Sequence, residues 1–598
     1  MTTRRLRCDV AVIGGSLGGV AAALAACEAG RDVVLSEASD WLGGQVTSQG
    51  VTPLDEHEHI ERFGGTRRYV EFRERARRHY RASYGAPERM PDGAPLNPGN
   101  GWVSRLCFEP RVALAVLEAM LAPHLEQGRL RLLLGHEPVA AEVRGDTVHA
   151  VTLRGPDGAG VELQATIVLD ATDLGDLLPL TGTDAVTGAE SRDDTGEPSA
   201  QPGPAEPGVV QSFTLPAALA YRPGERHVTP RPPGYERMKR AQPFSLDLAG
   251  GARHRMFDAG PGGELPFWSY RRVVDAALLR HPDHPVDLAL VNWAGNDYRD
   301  ASLLAGPEER ARALAEARTL TLAFVHWLQT ECPRDPQEGD DAPGDAPRRG
   351  YPELQLRPDV LGSDDGVAKA PYVRESRRLL ALARVREHDI GPTPDGAARA
   401  RPWRDAVGIG WYPIDLHPCV GRPDVSRYAP TLPFQVPLGA LVPRRTRNLL
   451  AACKNVGTTH LANGAYRLQP VEWAIGEAAG TLAAYCCERG CTPRQVHANE
   501  AHVRAVQTRL LRGGAPLAWT LDVPPEHPLF VPAQQLLLAG AIVPGSDRHG
   551  RLTVDVDAPL EPAERDRLSA LGVPKAGLGS LADACVAWAD VDARARRA

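Results

Sequence analysis

Hydrophobic and polar positions near the N-terminus change period twice. Cys8 to Ile13 is apolar and β-branched but for Asp9, Gly18 to Ala29 is rich in alanine, and "RDVVLSE" is a second apolar run ending on Glu37. Short run, glycines, helical stretch and second run predict one βαβ unit. After "WLGGQVTSQGV" an Arg-rich amphipathic stretch (Glu71 to Arg81) and a helix near Pro110 to Leu125 are expected. Alternation in "RLRLLLG", "AAEVRGDTVHAVTLR" and "VELQATIVLDAT" predicts a three-strand antiparallel excursion ending in a buried strand. From Thr187 to Gly234 proline, glycine and charge rise together, which reads as a long surface loop or mobile flap; "CPRDPQEGDDAPGDAPRRG" from Cys332 reads the same way. The segments "PFWSYRRVV", "LVNWAGNDY" and "APYVRESRRL" suggest a separate mixed domain. The first pattern resumes at "RNLLAACKNVG" and runs through a helix ending near Cys487, and residues after about 500 form an appendage.

Composition adds limits. A chain of 598 residues holds several cores, and 43% hydrophobic with 24% charged residues is ordinary globular usage. No run approaches the ~18 apolar residues of a membrane span, and no signal-peptide pattern is found, so a soluble, cytoplasmic protein is expected. A net charge of −7 with mixed signs gives no basic stripe for nucleic acid. The ten cysteines form no C-x-x-C pair, so no metal or iron–sulfur centre is expected and reduced thiols are the default. "DEHEHIE", residues Asp55 to Glu61, has metal-ligand residue types but reads as a solvated patch.

"VIGGSLGG" fits two chemistries. As Gly14-x-Ser16-x-Gly18 it matches a hydrolase nucleophile elbow; as Gly14-x-Ser16-x-x-Gly19 it is a dinucleotide-binding loop with serine in the second glycine slot. Only fifteen residues precede Ser16, too few for the strands and oxyanion loop of a hydrolase. The nucleotide reading demands an acid about twenty residues on, at the end of the next strand, to accept from a ribose hydroxyl. Glu37 meets that demand. Gly14 permits the turn, Gly19 lets helix and strand approach, and the helix N-terminus attracts a pyrophosphate.

These segments resemble the FAD-dependent oxidoreductases of glutathione-reductase type, in particular the large bacterial group with a W-L-G-G-Q segment after the ribose-binding acid. "GWVSRLCFEP", "DATDLGDLLPLTG", "FWSYRRV", "NWAGNDY", "PYVRESRR", "YPIDLHP" and "NLLAACKNVGTTHLANGAYRLQPVEWAIGEAAG" carry the same resemblance, from Cys8 to about Cys487. It implies an α/β fold: a Rossmann-like FAD-binding domain in two parts (1–183 and 405–499), an inserted mixed α+β cap (184–404) and a C-terminal appendage (500–598). It also implies noncovalent FAD on Gly14, Gly15, Ser16, Gly19, Glu37 and Ala38, with Gly43, Gly44 and Gln45 along the ribityl and flavin. Ala171 and Thr172 would return the chain to the nucleotide. Asn463, Arg467, Leu468 and Gln469, before the helix opened by Pro470, would approach the pyrimidine edge of the flavin.

No second glycine loop stands between a strand and a helix, so a built-in NAD(P)H domain is not expected, and without paired cysteines neither is a thiol relay. What remains is a flavin that takes a hydride from a small-molecule substrate and is reoxidised by oxygen or an external acceptor. A base near the flavin is then required. His417, His460 and Tyr412 are the candidates, while Arg374, Glu375 and Arg377 suit either an anionic or polyhydroxyl substrate or an ion-paired helix start. The competing readings are a flavin-dependent reductase or monooxygenase supplied by a separate reductase, and a flavin-bearing interaction protein working through residues 500–598. The appendage is expected to pack on the core or on a second subunit of a homo-oligomer.

Overall fold

The computed structural model describes residues 4–247, 251–336, 348–543, 552–574 and 577–595. Strand β1 (Arg4–Ile13) leads into helix α1 (Leu17–Glu28) and strand β2 (Val33–Glu37), the predicted βαβ unit. Helices α2 (Arg67–Tyr84) and α3 (Pro110–Glu126) follow, then strands β3 (Leu130–Leu134), β4 (Glu137–Arg144), β5 (Thr147–Arg154) and β6 (Gly160–Asp170). The sheet runs β3-β2-β1-β6-β5-β4, and β1, β2, β3 and β6 are mutually parallel where they pair. The α/β class expected from the sequence is therefore present.

One part of the strand reading is corrected. Leu130–Leu134 does not begin an antiparallel excursion; it lies parallel to β2, pairing Leu132 with Leu35. The antiparallel unit is β4-β5-β6, because "AAEVRGDTVHAVTLR" is a hairpin turning at Gly145 (φ +58°) and supplies two strands. β6 is long enough to serve both arrangements, pairing with β5 near Val161 and with β1 along its whole length.

The Thr187–Gly234 stretch is likewise not one surface loop. Strand β7 (Ala217–Tyr221) lies inside it, in the interior of a second sheet. That sheet is antiparallel, in the order β8 (Arg272–Val274), β9 (Leu288–Val291), β7, β10 (Leu354–Leu356). The apolar "LPAALAY" is buried there, outweighing the Pro/Gly bias around it. Helix α4 (Pro307–Thr330) packs Phe324 against Gly295, where a Cβ would lie 2.5 Å from the ring. Most of the second Pro/Gly-rich stretch, from residue 337 to 347, lies outside the described residues.

The chain returns to the first sheet with β11 (Leu449–Ala451), parallel to β6. Helices α5 (His460–Tyr466), α6 (Gln469–Arg489) and α7 (Glu500–Arg512) follow. α6 lies on α1 at backbone distance: a Cβ on Gly476 would come 2.0 Å from Gly18 O, and one on Gly480 2.2 Å from Ala22 O. Only glycine fits at these crossings. No described helix is long and apolar enough to cross a membrane.

"DEHEHIE" departs from the solvated patch expected. Asp55 and His57 are buried, Glu56 pairs with Arg73 at 2.9 Å and accepts from the Tyr69 hydroxyl at 2.7 Å, and Glu61 pairs with both Arg73 and Arg77. The two arginines are four residues apart on the inward face of α2, so helical spacing supplies the counter-charges. His57 packs edge-on to Trp519 at 4.9 Å, and burial pushes its pKa down to about 3. Among the described residues no group of three or more His, Cys, Asp or Glu is arranged to hold a metal.

Candidate active site

The glycine loop lies at the carboxyl end of β1, with Gly14 against Ala171 after β6 and Gly18 against Ala452 after β11. A Cβ on Gly14 (φ +102°) would sit 2.4 Å from the Ala171 carbonyl and 2.5 Å from Thr172 N. A Cβ on Gly19 would meet Gly14 O at 2.1 Å. Ser16 is the N-cap of α1: its hydroxyl accepts from Gly19 N at 3.2 Å, and it is buried. Replacing Ser16 with alanine should then cost about 1 kcal/mol of stability through the lost cap. Chemical denaturation of the variant, with its flavin content measured alongside, checks this.

Glu37 ends β2 with its carboxylate under the loop, accepting from Gly15 N and Ser39 N, both at 2.9 Å. Burial raises its pKa to about 7 against those two hydrogen bonds. Ala38 is exposed beside it. Further along, Gly43 (φ +101°) donates to Gly15 O at 2.7 Å, and Gly44 (φ +49°) brings its backbone against Ser16. Gln45 donates to Arg467 O at 3.0 Å and to the Glu472 carboxylate.

Sequence reasoning missed a charged group beneath the loop. Glu472, on the first turn of α6, accepts from Gly18 N at 3.0 Å, and the buried Lys454 bridges to Asp173 at 2.5 Å with Glu472 at 3.9 Å. These residues lie in "DATDLGD", "AACKNVG" and "QPVEW", each quoted for other reasons, and only the fold joins them.

A second cluster gathers charged and phenolic side chains, some of which stay partly accessible. Its polypeptide comes from six regions: Asp55, the Tyr270–Arg271 pair before β8, Asp297, Tyr372–Arg374, Tyr412–His417, and Arg467 at the end of α5. Arg467 donates to the Tyr372 hydroxyl at 2.7 Å and to Asp415 at 2.9 Å. His417 Nδ1 lies 2.6 Å from Asp297 and Nε2 3.6 Å from Asp415, while Arg374 reaches Asp297 at 2.9 Å. The His417 side chain remains 30% accessible and that of Asp415 25%, whereas Asp297, Arg374 and Arg467 are buried. Enclosed groups that stay accessible face a cavity, and Tyr270 and Tyr412 share that character.

The electrostatics follow. Burial and Arg374 oppose charge on His417, but Asp297 and Asp415 outweigh them and raise its pKa. Both aspartates resist burial and are held well below the usual carboxylate range, Asp297 by Arg374 and His417, Asp415 by His417 and Arg467. Burial, reinforced by Asp55 and Asp415, keeps the Tyr412 phenol far above its ordinary value.

Of the other sequence candidates, His460, Glu375 and Arg377 lie apart from this cluster, while Arg374 belongs to it. His460 is buried with Nδ1 2.9 Å from Glu375 and Nε2 3.8 Å from Cys419 Sγ; against burial, Glu375 raises its pKa to about 10. Glu375 also holds Arg378, and Arg377 donates to Leu174 O at 2.9 Å and Asp176 at 3.3 Å. Arg374, Glu375 and Arg377 thus make the internal ion pairs that were the alternative to substrate binding. Asn463 donates to Arg374 O at 3.0 Å, Leu468 is the N-cap of α6, and Gln469 accepts from Asp55 N at 3.0 Å. The start of α6 therefore joins the two clusters.

The fit to FAD was tested on buried polar atoms. Gln45 Oε1, Gln49 Oε1 and Thr52 Oγ1, all on the segment after Gly43-Gly44, are buried with no protein partner. A row of unsatisfied groups beside a glycine cradle suits a polar, planar ligand.

Comparison with known proteins agrees with that chemistry. The family described as "FAD dependent oxidoreductase" matches residues 9–510, and the chain belongs to it. The protein is therefore an FAD-dependent oxidoreductase. No curated protein matches. Among solved structures, a point variant of E. coli quinol fumarate reductase FrdA aligns over 98% of this chain and 87% of its own, at 13% identity and TM-score 0.31. A geranylgeranyl bacteriochlorophyll reductase-like protein from Thermoplasma acidophilum aligns over 85% and 86%, at 12% identity and TM-score 0.28. L-proline dehydrogenase from P. horikoshii aligns over 33% of this chain, at 16% identity and TM-score 0.17, and the chain spans only 26% of that protein's length. Likeness at these levels says nothing of the particular reaction.

Proposed function

We propose that this enzyme exchanges a hydride between FAD and a small or medium organic substrate beside Tyr412, Asp415, His417 and Arg467. In this reading it works as a dehydrogenase or oxidase, with oxygen or an external acceptor taking the electrons. The observation that supports this is His417, an ionisable ring held between two carboxylates at the edge of an internal space. The first-turn N–H groups of α1, Glu37, Ala38, Gly43, Gly44, Gln45, Ala171, Thr172, Asn463, Leu468 and Gln469 would hold the cofactor. When bound it supplies the acceptor of an electron pair.

The chain's own residues handle the proton. Asp297 at 2.6 Å keeps a proton on His417 Nδ1, which leaves Nε2 to exchange one with the substrate. Tyr412 stays a phenol and donates a hydrogen bond. Arg467 and the N-terminus of α6 put positive charge where electron uptake builds negative charge. His460, locked to Glu375, positions the strand and helix around it.

Anaerobic mixing with fractionated metabolites tests the reading: a substrate bleaches the bound flavin, and failure of every fraction to do so counts against it. The charge on His417 favours a second reading as well, since a protonated imidazole gives up a proton and so suits a reductase supplied with electrons from elsewhere. A fraction that reoxidises chemically reduced enzyme without oxygen would select that direction.

Arg467→Met should keep its FAD but lower the two-electron potential by roughly 30–60 mV. That range follows from a charge-assisted hydrogen bond of about 1.5–3 kcal/mol at about 30 mV per 1.4 kcal/mol. Spectroelectrochemical titration checks it, and an unchanged potential would place Arg467 away from the flavin.

A further inference from the structure

Resting on the active-site reading above, we infer that the substrate carries a single carboxylate and that Arg271 receives it. The enclosed charges point this way first. Arg271, Arg374, Arg467 and His417 stand around the space as cations, against Asp55, Asp297 and Asp415 as anions. His417 belongs with the cations by geometry. A neutral imidazole has one acceptor nitrogen, and here each nitrogen faces a carboxylate, which an acceptor would repel. Four cations against three anions leave one positive charge over. An uncompensated charge is costly in such surroundings, and one bound monoanion removes it. A phosphate dianion would overshoot.

The three arginines differ in what they still have to give. Arg374 holds Asp297 at 2.9 Å and Ser212 O at 3.0 Å, and Arg467 holds Tyr372 at 2.7 Å and Asp415 at 2.9 Å. Arg271 has only long contacts: Pro53 O and Asp55 at 3.3 Å, and the Tyr270 hydroxyl at 3.5 Å. Its Nε, like those of the other two, has no partner, and the side chain is only 6% exposed. Its guanidinium lies over the Tyr270 ring, 5.0 Å from the centroid, and shares Asp55, Tyr372 and Tyr412 as electrostatic neighbours with Arg467. A planar fork with unspent donors beside partly accessible tyrosines is suited to a carboxylate in two-point contact.

The test is calorimetric titration of the oxidised holoenzyme with acetate, lactate and benzoate, their three amides, and inorganic phosphate, with the flavin spectrum recorded in parallel. At least one carboxylate should bind about tenfold or more tightly than its amide and more tightly than phosphate. Arg271→Met should lose at least about tenfold of that affinity at unchanged FAD content. If that variant does not retain FAD, Arg271→Lys, which keeps the charge and loses the fork, should show the same loss.

No carboxylate binding up to about 10 mM, equal binding of the amides, tighter binding of phosphate, or full affinity in Arg271→Lys would overturn the inference. A reduction potential that moves in the Arg271 variants, with no carboxylate bound by the native protein, would give the charge to the reduced flavin and overturn it too. Carboxylate binding that needs Arg271 but leaves the flavin spectrum unmoved would uphold the anion site and refute the flavin-side cavity proposed above.

Discussion

Glu37→Lys protein should leave the column colourless. The carboxylate accepts from Gly15 N and Ser39 N at once, and so fixes the glycine loop while offering acceptors toward a ribose. A lysine supplies no acceptor, frees both N–H groups and puts an ammonium among donors. Losing two charge-assisted hydrogen bonds of about 1.5–3 kcal/mol each weakens FAD binding roughly 10²- to 10⁴-fold. The absorbance ratio of flavin to protein, and attempted reconstitution with FAD, measure the effect. A variant with full FAD occupancy would remove Glu37 from the site.

His417→Asn should bind FAD normally and turn over roughly 10²- to 10⁴-fold more slowly, the usual worth of a positioned proton-transfer group. Asparagine keeps a donor toward Asp297 but carries no exchangeable proton at Nε2. The pH profile gives the sharper reading. Because the pKa of His417 is raised, a step that needs its neutral form gains rate as pH climbs through that value, while a step that needs the imidazolium loses rate over the same interval. In either case the asparagine variant should lose that limb of the profile, and a limb that persists would assign the proton to another group. Stability has matching signs. The contribution of His417 is complete below its unfolded pKa of about 6.5 and fades as pH rises through the raised folded value. Those of Asp297 and Asp415 are complete above about 3.9 and fade in acid as their depressed folded values are approached.

The βαβ unit with its glycine loop and Glu37 was legible because its determinants are local. Gly14, Ser16, Gly19 and Glu37 lie within one βαβ unit, and each position answers a backbone requirement that residue type alone reveals. The cavity was not legible in the same way. Asp55, Arg271, Asp297, Arg374, Asp415 and Arg467 are spread over more than four hundred residues, and no spacing rule links an arginine before one strand to an aspartate after another. Composition misled at two places for a common reason. The Pro/Gly-rich stretch hid an interior strand at Ala217–Tyr221, and the acidic "DEHEHIE" run hid buried pairs, because in each case the partner was elsewhere in the chain. Arg73 and Arg77 were the available signal: two arginines on one face of an amphipathic helix, beside aromatic residues, call for carboxylates opposite. His417 and His460 look equivalent as letters, and only their surroundings separate a partly accessible ring between Asp297 and Asp415 from a buried one held by Glu375.

The crossing of α1 and α6 has a consequence for the life history of the chain. Gly18 and Ala22 are met by Gly476 and Gly480 at distances that admit no side chain, and the donor at Gly18 is satisfied by Glu472. Helix α1 is synthesised long before α6 and thus waits for it to complete its packing. At about 5–20 residues per second the wait is on the order of half a minute to a minute and a half. During it the Ala-rich flank of α1 and the open edge of the parallel sheet stay uncovered. Contacts so distant in sequence make slow folding, and the nascent enzyme should depend on chaperones that shelter exposed apolar surface during synthesis.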